Sequence, residues 1–136
     1  MRFQFPNLGI FIIRIVIGLM FIYYGYPKLM GGMAKWTQLG KSMGFLGISF
    51  YPAFWGFMAA VAEFGGGLAL ATGFLTRSFC VLLVCTMIVA FAYHIGKGDG
   101  FFEAAHALEL LGVCAGLFFT GPGSLSLETV IRKLRA

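Results

Sequence analysis

Four long, nearly uncharged apolar runs constrain the fold of this chain more than any other feature of its sequence. They cover about residues 8–26, 50–74, 78–95 and 102–120. The hydrocarbon layer of a bilayer is about 30 Å thick, and a helix that rises about 1.5 Å per residue crosses it in about 20 residues. Lipid offers the backbone no hydrogen-bond partners, and four strands are too few to close a barrel. We therefore predict an all-α, antiparallel four-helix membrane bundle that forms a single domain over residues 1–136.

Composition excludes several other classes of protein. Hydrophobic residues make up 60% of the chain and charged residues 11%, and the mean hydropathy is +0.90. Because a soluble domain usually carries about a quarter charged residues, a soluble enzyme and a disordered tail are both excluded. The net charge of +5 does not indicate nucleic-acid binding, since the basic residues are scattered apart from Arg132, Lys133 and Arg135. The lipid bilayer is the predicted environment.

Two segments outside the runs have amphipathic character. Residues 27–49 mix lysines with Trp36 and several apolar side chains, a pattern typical of an interfacial helix between spans one and two. After span four, the Gly-Pro-Gly at 121–123 ends the helix, and Ser126 can cap a short amphipathic C-terminal helix.

An even number of spans places both termini on one side of the membrane. That side collects Arg2, Arg77, Arg132, Lys133 and Arg135, whereas the other side has Lys28, Lys35, Lys41 and Lys97. Because cytoplasmic loops carry an excess of basic residues, the distribution predicts cytoplasmic termini.

Five ionisable residues fall within the predicted spans: Arg14, Glu63, His94, His106 and Glu109. An unpaired charge at mid-membrane costs at least about 2.5–3.5 kcal/mol, so such side chains are expected to face the bundle interior and find partners. Arg14, Glu63 and Glu109 each share a helix face with small residues at steps of three, four or seven, and along such faces membrane helices approach closely. We therefore predict one polar interior, in which Arg14 and Glu63 form an ion pair.

Charge balance indicates what this interior can do. One arginine cannot neutralise two ionised glutamates at low dielectric, so either one carboxyl is protonated or a histidine carries the compensating charge. That property suits a proton relay or a quinone site, with Glu63, Glu109 and His94 in catalytic roles and Arg14 and His106 binding substrate. A purely structural hydrogen-bonded network would contain the same residues, and both interpretations are kept.

Metal and haem sites are not predicted. His106 and Glu109 form an HxxE pair, but a di-iron bundle needs four carboxylates and two ExxH motifs, and this chain is two carboxylates short. Packing through glycines leaves little space for a haem between His94 and His106. No covalently bound cofactor is expected, and quinone is the candidate ligand.

The motifs, taken in order, resemble those of the DoxX family. Span one carries Arg14-x-x-x-Gly18 followed by Tyr24-Gly25-Tyr26-Pro27-Lys28-Leu29. Span two carries Ala62-Glu63-Phe64-Gly65-Gly66-Gly67 followed by Gly73-Phe74-Leu75-Thr76-Arg77. His94, Glu109 and the segment 121–127 complete a set that extends over about residues 8–128, whereas His106 is not part of the family pattern.

The resemblance implies a bacterial or archaeal inner-membrane protein with four helices. Relatives occur as small subunits of a terminal quinol oxidase and of a thiosulfate:quinone oxidoreductase, and most members have no assigned activity. We therefore expect a component of a quinone-linked redox system, with a redox protein, a respiratory complex or a second copy of the chain as partner. The alternative is a non-catalytic membrane subunit that anchors or stabilises a larger complex. An open, polar-ended pocket near Glu63 would favour the first hypothesis, and a solid bundle would favour the second.

Overall fold

The computed structural model describes residues 5–136, and within that range it contains helices and no strands. The six α-helices are α1 (Phe5–Met30), α2 (Gly32–Gly40), α3 (Pro52–Thr72), α4 (Thr76–Lys97), α5 (Phe101–Thr120) and α6 (Leu127–Arg135), with a 3-10 helix at Lys41–Leu46. Four of these helices, α1, α3, α4 and α5, are long and apolar enough to cross a membrane. The predicted all-α membrane bundle is confirmed. Arg2, which entered the charge count, lies outside the described residues.

Helix bounds differ from the prediction in two places, the end of α1 and the α3–α4 turn. Helix α1 continues for a turn beyond residue 26, through Pro27 to Met30, because proline is tolerated in membrane helices and removes only one backbone hydrogen bond here. The turn between α3 and α4 comes earlier than predicted, since Gly73 (φ 73°) and Leu75 (φ 50°) adopt left-handed conformations and α4 begins at Thr76.

Contacts between loops define two ends of the bundle. At the end that we call terminal, the start of α1 meets the α5–α6 loop, where the amide of Ser124 donates to Asn7 Oδ1 (3.0 Å). The α3–α4 turn lies at the same end, because the amide of Glu128 donates to the carbonyl of Gly73 (3.2 Å). At the opposite, distal end, the 3-10 helix packs on α4, with the rings of Phe45 and Tyr93 5.5 Å apart.

Helices α1 and α3 pack directly against each other through glycines. A Cβ on Gly18 would lie 2.8 Å from the carbonyl oxygen of Gly67, and a Cβ on Gly25 would lie 2.5 Å from the amide nitrogen of Phe64. Real Cβ atoms do not approach this closely, so only glycine allows the two backbones to touch. The predicted small-residue faces of spans one and two are therefore confirmed as a helix–helix contact.

The second tight pair is α4 with α5. On α5 the buried residues are Ala104, Ala107, Cys114 and Leu117, and on α4 they are Thr76, Cys80, Leu83 and Met87. Cys80 and Cys114 are fully buried free thiols in this core. They act as small apolar side chains at the helix contact.

Both predicted amphipathic segments form helices. Helix α2 sits on the start of α3 so closely that a Cβ on Gly56 would lie 1.7 Å from the carbonyl oxygen of Trp36, and the Trp36 indole donates to the carbonyl of Lys28 (3.1 Å). At the C-terminus, the Ser126 hydroxyl accepts from the amide of Thr129 (3.2 Å) and caps α6 as predicted.

Candidate functional site

Arg14 lies at the terminal end of the α1–α3 contact and is 1% exposed. Its Nε donates to the carbonyl of Leu70 (3.0 Å), and its Nη1 donates to the carbonyls of Pro122 and Leu125. The guanidinium group thus joins α1, the last turn of α3 and the loop that leads to α6. Backbone carbonyls, which carry partial negative charge, stabilise the buried cation in place of a carboxylate.

Glu63 forms an ion pair with Lys28. Lys28 Nζ lies 2.7 Å from Oε2 and 2.9 Å from Oε1, so it contacts both oxygens. The side chain of Glu63 is 7% exposed and that of Lys28 is 30% exposed. Side chains on a helix tilt toward its N-terminus, and α1 and α3 run in opposite directions. Lys28 therefore tilts back into the bundle while Glu63 tilts toward the distal end, and the two charges meet.

The predicted ion pair between Arg14 and Glu63 is wrong. The same tilt directs Arg14 toward the terminal end, whereas Glu63 packs beside Gly25, about 16 Å further along α1. Lys28 was not among the predicted site residues, because Pro27 was predicted to begin an interfacial segment outside span one, whereas α1 continues to Met30. Lys28 does continue the three- and four-residue spacing of Arg14, Gly18, Phe21 and Gly25, and that spacing was a usable signal.

Helix α5 turns its ionisable residues outward. His106, Glu109, Gly112, Gly116 and Thr120, which we call the α5 face, are all exposed. Three of them follow the buried Ala104, Ala107 and Cys114 by two residues, which rotates them by roughly 200° to the opposite side of the helix. The prediction that this stripe faces a shared polar interior is wrong. Both sides of α5 carry small residues, so their spacing alone did not reveal which side is buried.

Glu109 has no hydrogen-bond or ion-pair partner among residues 5–136. Its neighbour on the α5 face, His106, contacts Tyr24 of α1 with ring centroids 6.0 Å apart. Glu109 lies near the middle of α5, so a spanning α5 places this carboxylate about 16 Å from the end of the helix at Thr120.

An open groove runs between α1 and α5 on the terminal side of Glu109. Its volume is about 490 Å³, and its walls are formed by Ile10, Ile12, Ile13, Val16 and Ile17 of α1 and by Gly112, Val113, Gly116, Leu117 and Thr120 of α5. Glu109 lies one helical turn beyond Gly112, on the same side of α5. The apolar groove therefore leads toward a polar group made of Glu109, His106 and Tyr24.

His94 pairs with neither Glu63 nor Glu109. Its Nδ1 lies 2.8 Å from Asp99 Oδ2 at the distal end of α4, where both side chains are partly exposed. The five predicted site residues consequently occupy four places: Arg14 at the terminal end, Glu63 with Lys28, His94 with Asp99, and His106 with Glu109 on the α5 face. The single polar interior predicted from the sequence is not formed, although the chemical roles assigned to these residues stay predictions.

Glu63 lines neither the α1–α5 groove nor the groove at the terminal end. Besides the α1–α5 groove, a groove of about 670 Å³ lies at the terminal end between the α3–α4 turn and α6, with Phe74, Ile131, Arg132 and Arg135 in its walls. No group of three or more histidine, cysteine, aspartate or glutamate side chains within residues 5–136 is arranged to hold a metal ion.

The chain is similar to a known protein family over most of its length. The DoxX family model matches residues 9–95, a stretch that holds both Arg14 and the Lys28–Glu63 pair. The chain belongs to the DoxX family. The DoxX match ends before α5, so it includes neither His106 nor Glu109.

Two relatives of this DoxX protein come from Escherichia coli (strain K12). Inner membrane protein YqjF is 30% identical over 134 residues, which cover 96% of this chain and 97% of the relative. Inner membrane protein YphA is 29% identical over 128 residues, which cover 86% of each chain. No solved structure matches. Together with the four apolar helices, these relatives identify a multi-pass inner-membrane protein.

Proposed function

We propose that this DoxX protein is a non-catalytic inner-membrane subunit that assembles with another transmembrane helix through its α5 face. The proposal rests on the exposure of Glu109. This ionisable side chain lies near the middle of a spanning helix, on a surface that no other part of the described chain covers. A charge that faces lipid at this depth costs several kcal/mol, and membrane proteins pair such residues with protein groups. A partner helix on the α5 face removes that cost.

The interior of the bundle supports a non-catalytic role. The guanidinium of Arg14 donates to three carbonyls, and both oxygens of Glu63 are occupied by Lys28. A catalytic acid or base must reach a substrate, and these buried groups are already bonded within the chain. The arrangement favours the second of the two hypotheses drawn from the sequence, an anchoring or stabilising subunit.

The test measures the mass of the protein extracted with its surrounding lipid in polymer-bounded native discs. We expect a particle heavier than one chain for the wild type and a single chain for Gly116→Leu, because the leucine side chain occupies the space that a second helix needs. A Cβ at Gly116 meets nothing within 4 Å, so the melting temperature of the chain itself should not change. Cys85→Leu, at another exposed small residue on α4, is the matched control and should keep the heavier particle. A single-chain mass for the wild type would contradict the proposal.

Quinone binding is a second candidate function, and the α1–α5 groove is the observation that favours it. A quinone has an apolar tail and two carbonyls that accept hydrogen bonds. The groove is lined by apolar side chains and leads toward Tyr24, His106 and Glu109, which can donate or exchange protons. This candidate keeps the quinone-linked redox role that the DoxX resemblance implies, with His106 and Glu109 as the groups that contact the ligand.

Lipid extraction tests this candidate separately. If the groove holds quinone, purified wild-type protein should release about one quinone per chain, and both His106→Ala and Gly116→Leu should release at least tenfold less. Cys85→Leu should behave as the wild type. Absence of quinone from the wild-type protein would eliminate the candidate and leave the subunit role.

A further inference from the structure

We infer that the helix that covers the α5 face belongs to a second copy of this chain, in a two-fold symmetric dimer whose α5 helices cross at Gly112 and Gly116. The inference rests on the proposed function and names the partner. Three features of the face support it: its glycines, its charges and the depth at which they lie.

The glycines provide the close approach. Gly112 and Gly116 form a G-x-x-x-G pair on the exposed side of α5, and a Cβ on either would meet nothing within 4 Å. Elsewhere in the same chain, Gly18 and Gly25 of α1 are in backbone contact with α3. The chain thus uses glycine faces to join membrane helices, whereas the glycines of the α5 face border the open α1–α5 groove and are not in contact with α1.

The charges make the face complementary to itself. A two-fold interface brings the same surface of both copies together, so each group must find its complement on that surface. The α5 face offers one acid, Glu109, and one base, His106, three residues apart. Because both copies insert in the same orientation, their equivalent residues lie at the same depth.

Side-chain direction then sets the pairing. Glu109 lies three residues, about 4.5 Å along α5, from His106, and its long side chain extends toward the N-terminus of α5 and so toward the level of His106. Across the two-fold axis, each Glu109 accepts a hydrogen bond from His106 of the second copy, so the interface contains two acids and two bases that pair with one another. A different partner would need a donor of its own at this depth, whereas a second copy supplies it automatically.

Disulfide cross-linking of the full-length protein in native membranes tests the inference. The variant Thr120→Cys, in a Cys85→Ser background, places a thiol on the α5 face one turn beyond Gly116. Phe119→Cys in the same background is the control, because residue 119 is 79% exposed at the same depth but points about 100° away. Cys80 and Cys114 are fully buried and do not interfere.

We expect oxidation to give at least tenfold more covalent dimer for Thr120→Cys than for Phe119→Cys. Adding Gly116→Leu, or Glu109→Leu, to the Thr120→Cys variant should lower the dimer yield at least tenfold, while the melting temperature of the Gly116→Leu chain stays at the wild-type value. Equal yields at positions 119 and 120 would reflect random collision and would overturn the dimer.

The remaining outcomes separate the inference from the proposed function. If Thr120→Cys forms no dimer while the wild type in native discs is still heavier than one chain, a different protein covers the face, and the second copy is overturned but the subunit role stands. If the wild type is also a single chain, both are overturned.

Discussion

Two cations on one face of α1 are neutralised in different ways. Arg14 donates to backbone carbonyls at the terminal end, and Lys28 pairs with Glu63 toward the distal end. The choice follows from geometry, since guanidinium offers several donors in a planar fork whereas ammonium is a compact charge on a flexible stem. The planar guanidinium of Arg14 therefore bonds several carbonyls, and the compact ammonium of Lys28 bonds one carboxylate.

The Lys28–Glu63 pair should behave as a coupled unit. Removing one member leaves the other charge partly buried, so Lys28→Met and Glu63→Leu should each lower the free energy of unfolding by about 2–4 kcal/mol. The double variant should lose less than the sum of the two single losses, because no stranded charge is left. Melting temperatures in detergent measure the cycle, with Lys35→Met on the exposed surface of α2 as control. Strictly additive losses would mean that the two side chains do not interact.

Arg14→Lys should not substitute for Arg14. A single ammonium cannot occupy the positions of both Nε and Nη1, so at least one of the carbonyls of Leu70, Pro122 and Leu125 loses its donor. We expect a lower melting temperature and faster proteolysis of the segment that contains α6. Arg132→Lys, whose side chain is 75% exposed, is the matched control and should leave both measurements unchanged. If the Arg14→Lys variant is proteolysed at the same rate as the wild type, the structural role of Arg14 is contradicted.

At the scale of helices, two similar glycine patterns have different consequences. Gly18 and Gly25 of α1 lie in backbone contact with α3, whereas Gly112 and Gly116 of α5 have open space beside them. The first pattern holds the fold of one chain together. The second is available for association, because the core of α5 lies on its other side.

Alanine substitutions should distinguish the two patterns. Gly25→Ala places a Cβ 2.5 Å from the Phe64 amide nitrogen and should destabilise the chain by about 1–3 kcal/mol, the usual cost of overpacking. Gly112→Ala should leave the melting temperature of a single chain unchanged or slightly raised, because alanine favours helix. Thermal unfolding in detergent that keeps the chain monomeric measures both. An equal loss for the two variants would show that α5 packs differently.

Some parts of this structure follow from the sequence, and others do not. Run length and apolarity were sufficient for the four spans, and proline, glycine and serine signals were sufficient for the end of α5 and the cap of α6. The α1–α3 contact followed from its small residues. The location of His106 and Glu109 did not follow from the sequence, since α5 has small residues on two sides. Which side is buried depends on how α4 packs against α5. The prediction of an interior His94 is wrong, because His94 pairs with Asp99 in the short loop that follows α4.

At the scale of the whole molecule, contacts place the start of α1 and the start of α6 on one side of the bundle; they involve Asn7, Gly73, Ser124 and Glu128. The basic C-terminal turn of α6, with Arg132, Lys133 and Arg135, lies on that side. Basic clusters next to a membrane span favour the cytoplasmic leaflet.

Reporter fusions should give opposite locations for the two ends of α4. A chain truncated after Leu75 and fused to a reporter should place it in the cytoplasm, and a chain fused after Asp99 should place it on the outer side. Each fusion is the control for the other, because the two are expected on opposite sides of the membrane. The reverse pattern would invert the proposed orientation without changing the bundle.

The hydrogen bonds of Arg14 also impose an order on biosynthesis. They join residues separated by 56, 108 and 111 positions in the chain. At about 5–20 residues per second, Pro122 and Leu125 leave the ribosome at least several seconds after Arg14. Until then the carbonyl of Leu70 is the one acceptor of the three that has been synthesised, so the charge of Arg14 is only partly satisfied. The acceptor set of Arg14 is therefore complete only when the last loop has been translated, and a chain stalled before residue 122 carries a buried arginine that lacks two of its three acceptors.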